Sequence, residues 1–125
     1  MTNDYLKELG ATVKILLGDS ATKEIITNLK SQIQKSSEPF VWGTIETFPK
    51  YRLPSEIKSM WTFVLKRNIP SVAHYHPNSI QHTIMVEGKG KVKIGNQYKE
   101  LKLFDPLNKE SWYIIGQNVP HEFFP

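Results

Sequence analysis

The segment AHYHPNSIQHTIMVEGKG, residues 73–90, contains three of the four histidines in the 125-residue chain. His74 and His76 are two positions apart, so on a β-strand both side chains project from the same face. The Pro-Asn dipeptide that follows predicts a turn and an antiparallel return strand. On that strand either Gln81 or His82 faces the histidine pair, because neighbouring residues alternate between faces. The segment therefore predicts a strand–turn–strand unit that directs several ligand groups toward one point.

The chain on both sides of this segment has the pattern of short β-strands separated by turns. Bulky residues alternate with smaller or polar ones, and Gly, Pro and Asn punctuate the runs. The predicted strands are 40–48, 59–65, 71–76, 80–87, 91–95, 98–104 and 112–115. Short strands at this spacing predict an antiparallel sandwich or barrel.

The first 36 residues have a helical pattern instead. Apolar residues recur at helical spacing in two segments separated by a Gly-Asp-Ser turn. Asp19 or Ser20 in that turn can cap the second helix. We therefore predict an N-terminal helical extension over residues 1–38, followed by one β domain over residues 39–125.

Composition excludes several kinds of site and partner. The chain has no cysteine, which excludes disulfides and thiolate metal ligands. Its net charge is only +4 and the lysines are scattered, so we expect no nucleic-acid partner. No apolar run approaches the roughly 20 residues that a bilayer-spanning helix needs, and no signal-peptide pattern is present. We therefore expect a cytoplasmic protein without a membrane partner.

The histidine segment resembles the first sequence motif of the cupin superfamily. That motif is glycine, five residues, His-x-His, three or four residues, glutamate, six residues and glycine. Here Asn68 is followed by five residues, then by His74 and His76, four further residues, Gln81, six residues and Gly88. The spacing matches throughout, with asparagine and glutamine at two of the motif positions.

The segment Gly116-Gln117-Asn118-Val119-Pro120-His121 resembles the second cupin motif, which is proline, one residue, glycine, two residues and histidine. Together the two resemblances cover about residues 59–125. They imply a mainly β fold, a cupin-type double-stranded β-helix or jelly-roll barrel, carrying the N-terminal helical extension. They also imply one metal ion held by His74, His76, Gln81 and His121, and a homodimer. The barrel can be completed by strands from residues 40–48 or by a partner subunit.

Four residues depart from the motifs, among them Gly116, which replaces the proline of the second motif and loosens that turn. Asn68 and Asn118 replace glycines, but asparagine is the residue that best tolerates a left-handed turn after glycine. Gln81 replaces the usual glutamate, and it can either ligate the metal or hydrogen-bond to a bound water or substrate. A ligand set without a carboxylate disfavours Mg²⁺ and Mn²⁺ and suits Fe²⁺, Ni²⁺, Cu²⁺ or Zn²⁺. A metal-free barrel with hydrogen-bonded histidines is the alternative.

Five apolar or aromatic residues are candidates to contact a small-molecule ligand. Trp61, Phe63, Met85 and Phe123 would line the barrel interior, with filling of the core as the alternative role for each. Tyr113 could reach the mouth of the barrel, with a solvent-exposed or structural role as its alternative. The chain shows no Ser/His/Asp set, and without cysteine it has no thiol nucleophile, so any chemistry would depend on the metal.

The resemblance implies a small mononuclear metalloprotein that acts on a small organic molecule. Dioxygenase-like oxidoreductase chemistry and isomerase or lyase chemistry are both compatible with it. A non-catalytic barrel that binds a metal or small molecule for sensing or storage is the alternative. A metal that only stabilises the barrel is a third reading, because catalysis needs an exchangeable ligand position.

Overall fold

The computed structural model describes residues 4–45, 53–54, 57–71 and 73–125. The chain divides into two compact units, Met1–Val64 and Leu65–Pro125. This division lies later than residue 38, where the sequence changes from helical to strand periodicity. Part of the predicted strand 40–48 lies outside the described residues.

Two helices begin the first unit, as the apolar spacing predicts. They are α1, Asp4–Leu17, and α2, Ser20–Lys35. Asp19 is the N-cap of α2, and its carboxylate accepts a hydrogen bond of 2.8 Å from the backbone N–H of Ala21. The buried apolar residues of the two helices are Leu6, Leu9, Val13, Leu16, Leu29 and Ile33.

A two-stranded ribbon completes this unit. Strand β1, Phe40–Thr44, pairs with β2, Trp61–Leu65. A Cβ added at Gly43 would lie 3.5 Å from the Ile25 side chain, so this side of β1 packs closely against α2. Neighbouring residues on a strand face opposite ways. The aromatic residues Phe40 and Trp42 therefore lie on the other side of the ribbon.

Five short strands form the second unit. They are β3, Gln81–Thr83; β4, Lys91–Ile94; β5, Gln97–Glu100; β6, Tyr113–Ile115; and β7, His121–Phe124. A single 3₁₀ turn, Lys109–Ser111, precedes β6. One antiparallel sheet pairs β3 with β6, and the other has the order β5–β4–β7.

The predicted mainly β architecture is therefore present in part: the described residues form small antiparallel sheets and two helices. Within the described residues these sheets do not close into a barrel. The cupin-type jelly roll is accordingly a proposal, taken up below.

The two sheets of the second unit are joined through the chain that follows β5. The Tyr113 hydroxyl donates to the carbonyl of Glu100 at 2.9 Å and accepts from the backbone N–H of Lys102 at 2.7 Å. Met85 and Leu103 form a parallel bridge next to this contact. Because Tyr113 belongs to β6, its hydroxyl attaches the β3–β6 sheet to the edge of β5.

The core of the second unit lies on one face of each sheet. Val92 on β4 has no exposed surface, and Tyr113 and Ile115 on β6 are also buried. Between the two buried residues of β6, Ile114 is exposed. This alternation is the pattern expected of strands with one buried face.

Candidate metal centre

Backbone pairing brings the first and last of the three motif histidines together. His74 donates its N–H to the carbonyl of His121 at 3.1 Å, and His121 donates to the carbonyl of His74 at 2.9 Å. This is an antiparallel bridge, so the two side chains project from the same face. The chain continues alongside, because the N–H of Asn118 donates to the carbonyl of His76 at 2.9 Å.

The three imidazole rings form a compact cluster. The ring centroids of His74 and His121 are 4.3 Å apart, those of His74 and His76 are 5.1 Å apart, and those of His76 and His121 are 5.3 Å apart. One nitrogen from each ring can be chosen so that all three lie within 4.8 Å of one another. The three histidines are therefore close enough to bind one metal ion.

The orientation of His121 is set by a backbone carbonyl two residues earlier. Its Nδ1 lies 3.1 Å from the carbonyl oxygen of Val119, which can only accept a hydrogen bond. Nδ1 must therefore carry the proton, and Nε2 has a free lone pair. This Nε2 is buried without a hydrogen-bond partner, in a side chain that is only 1% exposed. A buried polar atom of this kind costs free energy unless something binds it.

Burial also favours the neutral form of His121. Removal of the imidazolium from water lowers the pKa of His121, and the charges of His74 and His76 lower it further. The hydrogen bond to Val119 acts in the opposite direction but is the smaller effect. A metal ligand must be the neutral imidazole, so the surroundings of His121 favour the form that binds a metal.

The three histidines of the cluster differ in exposure. His121 is buried, whereas His74 and His76 are only partly buried. The cluster therefore has a closed side at His121 and can be reached by solvent at His74 and His76.

Left-handed backbone turns occur at the motif positions normally occupied by glycine. Asn68 has φ 63° and Asn118 has φ 62°. Gly88, at the end of the first motif, has φ 98°. Non-glycine residues rarely adopt positive φ, and asparagine is among the few that do so at modest cost. Asparagine at these two positions thus keeps the backbone conformation that glycine would supply.

The register of β3 separates Gln81 from His82. Gln81 is paired with buried Ile115 and His82 with exposed Ile114, so Gln81 is on the inner face of the sheet and His82 on the outer, although both side chains are partly buried. The Gln81 amide donates to the hydroxyl of Thr83 at 2.8 Å. Its role as a metal ligand stays a prediction.

The remaining predicted site residues have different surroundings. The Phe123 ring lies 6.3 Å from the His121 ring, centroid to centroid. Tyr113 is buried with its hydroxyl on the backbone of the β5 edge, which is a structural contact. Met85 is partly buried beside Leu103. Contact of any of these residues with a ligand stays a prediction.

Trp61 and Phe63 belong to the first unit, whereas the histidines belong to the second. The Trp61 ring stacks on Trp42 with centroids 4.6 Å apart, and the Phe63 ring lies 5.8 Å from Phe40. Trp61 and Phe63 are each 48% exposed. These contacts place both side chains in a partly exposed aromatic cluster on the β1–β2 ribbon.

The sequence patterns did not identify two groups that support the histidines. The Val119 carbonyl orients His121, but a backbone carbonyl has no residue-type signature. Buried Ser71 fixes the strand that carries His121, because its hydroxyl accepts from the N–H of Phe123 at 2.8 Å. A serine at the start of a predicted strand was the only available signal.

No family model, curated protein or solved structure matches this chain in comparisons with known proteins. In the described part of the chain, neither helix combines the length and apolarity needed to cross a bilayer.

Proposed function

We propose that this protein binds one divalent transition-metal ion through His74, His76 and His121, and that it uses the ion to act on a small organic molecule. The observation that carries the proposal is the His121 Nε2 atom. It is buried, unprotonated and without a partner, in a cluster whose three ligand atoms lie within 4.8 Å of one another. A metal ion bound there would coordinate His121 Nε2 and, on its other side, the partly exposed rings of His74 and His76.

The chemistry of the donors narrows the choice of metal. Three neutral imidazoles suit Fe²⁺, Ni²⁺, Cu²⁺ and Zn²⁺ better than hard ions that prefer oxygen ligands. Gln81 is the proposed fourth contact, either as a ligand through its amide oxygen or as a hydrogen-bond partner of a metal-bound molecule.

We propose a cupin-type jelly roll as the fold that carries this centre. The spacing of both motifs supports it, and so does positive φ at Asn68, Gly88 and Asn118. By the same resemblance we propose a homodimer. A monomer has a mass of 14.4 kDa, and a solution mass near that value by light scattering would contradict the dimer.

Enzymatic activity is the first candidate function of the site. Three protein ligands leave at least one coordination position for an exchangeable molecule, as catalytic metal sites require. The bound ion would supply Lewis-acid or redox chemistry. His121 would hold the closed side, while His74 and His76 would border the side through which a small molecule enters. The proposed reaction is either of the oxygenase type or of the isomerase or lyase type.

A non-catalytic metal-binding or ligand-binding module is the second reading. Among the described residues, the group of side chains close enough to share one metal ion consists of three histidines and includes no carboxylate, the usual partner for general-base chemistry at such a site. This composition favours capture of a ligand over reactions that need a separate proton acceptor.

Elemental analysis of untagged protein tests the metal centre. Protein purified without added metal or chelator should contain about one equivalent of a transition metal, as a mononuclear site requires. His74→Ala should lose the metal. His82→Ala is the matched control, because this histidine lies on the outer face of β3 and should leave the metal content unchanged.

Metal content near zero in wild-type protein, also after dialysis against each of the four ions, would contradict the proposal. Equal loss from both histidine variants would show that the effect is not specific to the cluster.

A further inference from the structure

We propose that the open positions of this centre bind a small molecule through an anionic group, with a carboxylate as the representative case, in preference to a neutral analogue. This inference rests on the metal centre proposed above. The groups around the three histidines determine which charge the centre prefers in an exogenous ligand.

The ligand set contributes no negative charge. His121 is a neutral donor because its proton is on Nδ1, at the carbonyl of Val119. His74 and His76 bind a metal as neutral imidazoles as well. The metal-binding group in the described residues includes neither aspartate nor glutamate. A divalent ion held there would keep its full double positive charge.

The residues of β4 that adjoin His121 do not neutralise the charge of the metal ion either. In the β4–β7 register, His121 is opposite Ile94 and Phe123 is opposite Val92, so this face is apolar next to His121. Lys93 is opposite Glu122, one position away, and this charged pair projects from the other face of the sheet.

A divalent charge beside an apolar surface attracts an anion more strongly than the same ion would in water, because the surroundings screen it less. A carboxylate also replaces part of the hydration that the ion loses on burial. A neutral oxygen donor of the same shape provides the coordinating atom but no charge. The anion can approach past His74 and His76, since both are partly exposed.

Acetate and acetamide separate charge from shape, since they are nearly isosteric. The experiment loads the full chain with Co²⁺, whose visible absorption reports its ligands, and titrates it with each compound at neutral pH and constant ionic strength. Acetate should change the cobalt absorption in a saturable way, with an affinity at least about tenfold higher than that of acetamide. The metal-free protein should bind neither compound.

Glu122→Gln is the matched control variant. It raises the net charge of the protein by one without touching the centre, because Glu122 projects from the opposite face of β7. Its acetate affinity should equal that of the wild type.

Three results would overturn the inference. Equal affinities for acetate and acetamide, or binding of neither, would do so while leaving the cobalt site intact. A large gain in acetate affinity in Glu122→Gln would show that overall charge, and not the centre, attracts the anion. Failure to bind cobalt would overturn the metal centre itself, and the inference with it.

Discussion

Replacement of His121 by leucine should have opposite effects on stability with and without metal. In metal-free protein, His121→Leu removes the hydrogen bond from Nδ1 to Val119, at a cost of about 1 kcal/mol. It also removes the buried, unpartnered Nε2, whose burial costs about 1–3 kcal/mol. Leucine is similar in size, and the cross-strand neighbour of His121 on β4, Ile94, is apolar. The free energy of unfolding of the metal-free variant should therefore equal that of the wild type or exceed it by up to about 2 kcal/mol.

With metal present the order should reverse. An ion that binds only the folded state at about one hundred times its Kd stabilises that state by about 2.7 kcal/mol. The wild type should gain this amount, and His121→Leu should gain little. The assay is urea unfolding at neutral pH, in chelator and again with saturating zinc, with His82→Leu as the control that keeps the zinc response.

Two outcomes would refute this reasoning. Destabilisation of metal-free His121→Leu by more than about 2 kcal/mol would mean that Nε2 has a stabilising partner in the metal-free protein. An equal zinc response in wild type and His121→Leu would mean that His121 is not a ligand.

Three further predictions concern the backbone, the junction between the sheets and the response to pH. Asn118→Ala should destabilise the protein by about 1–2 kcal/mol because alanine resists positive φ, whereas Asn118→Gly should be close to neutral; urea unfolding of both variants checks this. Tyr113→Phe should cost about 1–3 kcal/mol because it removes both backbone hydrogen bonds at the β5 edge, and Tyr98→Phe, at a 61% exposed site, should cost almost nothing. Burial lowers the pKa of His82 from its ordinary value of 6.5, although a hydrogen bond with Ile80 opposes this. As pH falls, His82 therefore takes up its proton more readily in the unfolded chain than in the folded one, and the free energy of unfolding should decrease below about pH 6.5. This decrease should be less steep in His82→Gln. Thermal unfolding in chelator across this pH range measures the difference.

Local sequence patterns predicted the features that depend on neighbouring residues. The apolar spacing and the cap at Asp19 gave both helices, because helix formation and capping involve residues within a few positions of each other. Strand alternation placed Gln81 and His82 on opposite faces, as the β3–β6 register has them. The tolerance of asparagine for left-handed turns anticipated the backbone at Asn68 and Asn118.

Features that depend on distant pairing could not be predicted in the same way. Among the described residues of the predicted strand 71–76, which leave out residue 72, the single bridge is at His74, and it pairs with the distant residue His121. The predicted strand 98–104 ends at Glu100, because beyond it the N–H of Lys102 donates to the Tyr113 hydroxyl and Leu103 pairs with Met85 instead. The orientation of His121 by the Val119 carbonyl has no signature in residue type.

The position of β7 has a consequence for folding during synthesis. This strand is the last of the described strands to be made, yet it lies between β4 and the segment around His74. Until residues 121–124 leave the ribosome, β4 lacks its neighbour on one side, and His74 and His76 lack their third companion. Contacts between distant residues slow folding and leave strand edges unpaired for longer. The nascent second unit therefore keeps an unpaired edge on β4 until β7 inserts, and the proposed metal centre is complete only after that step.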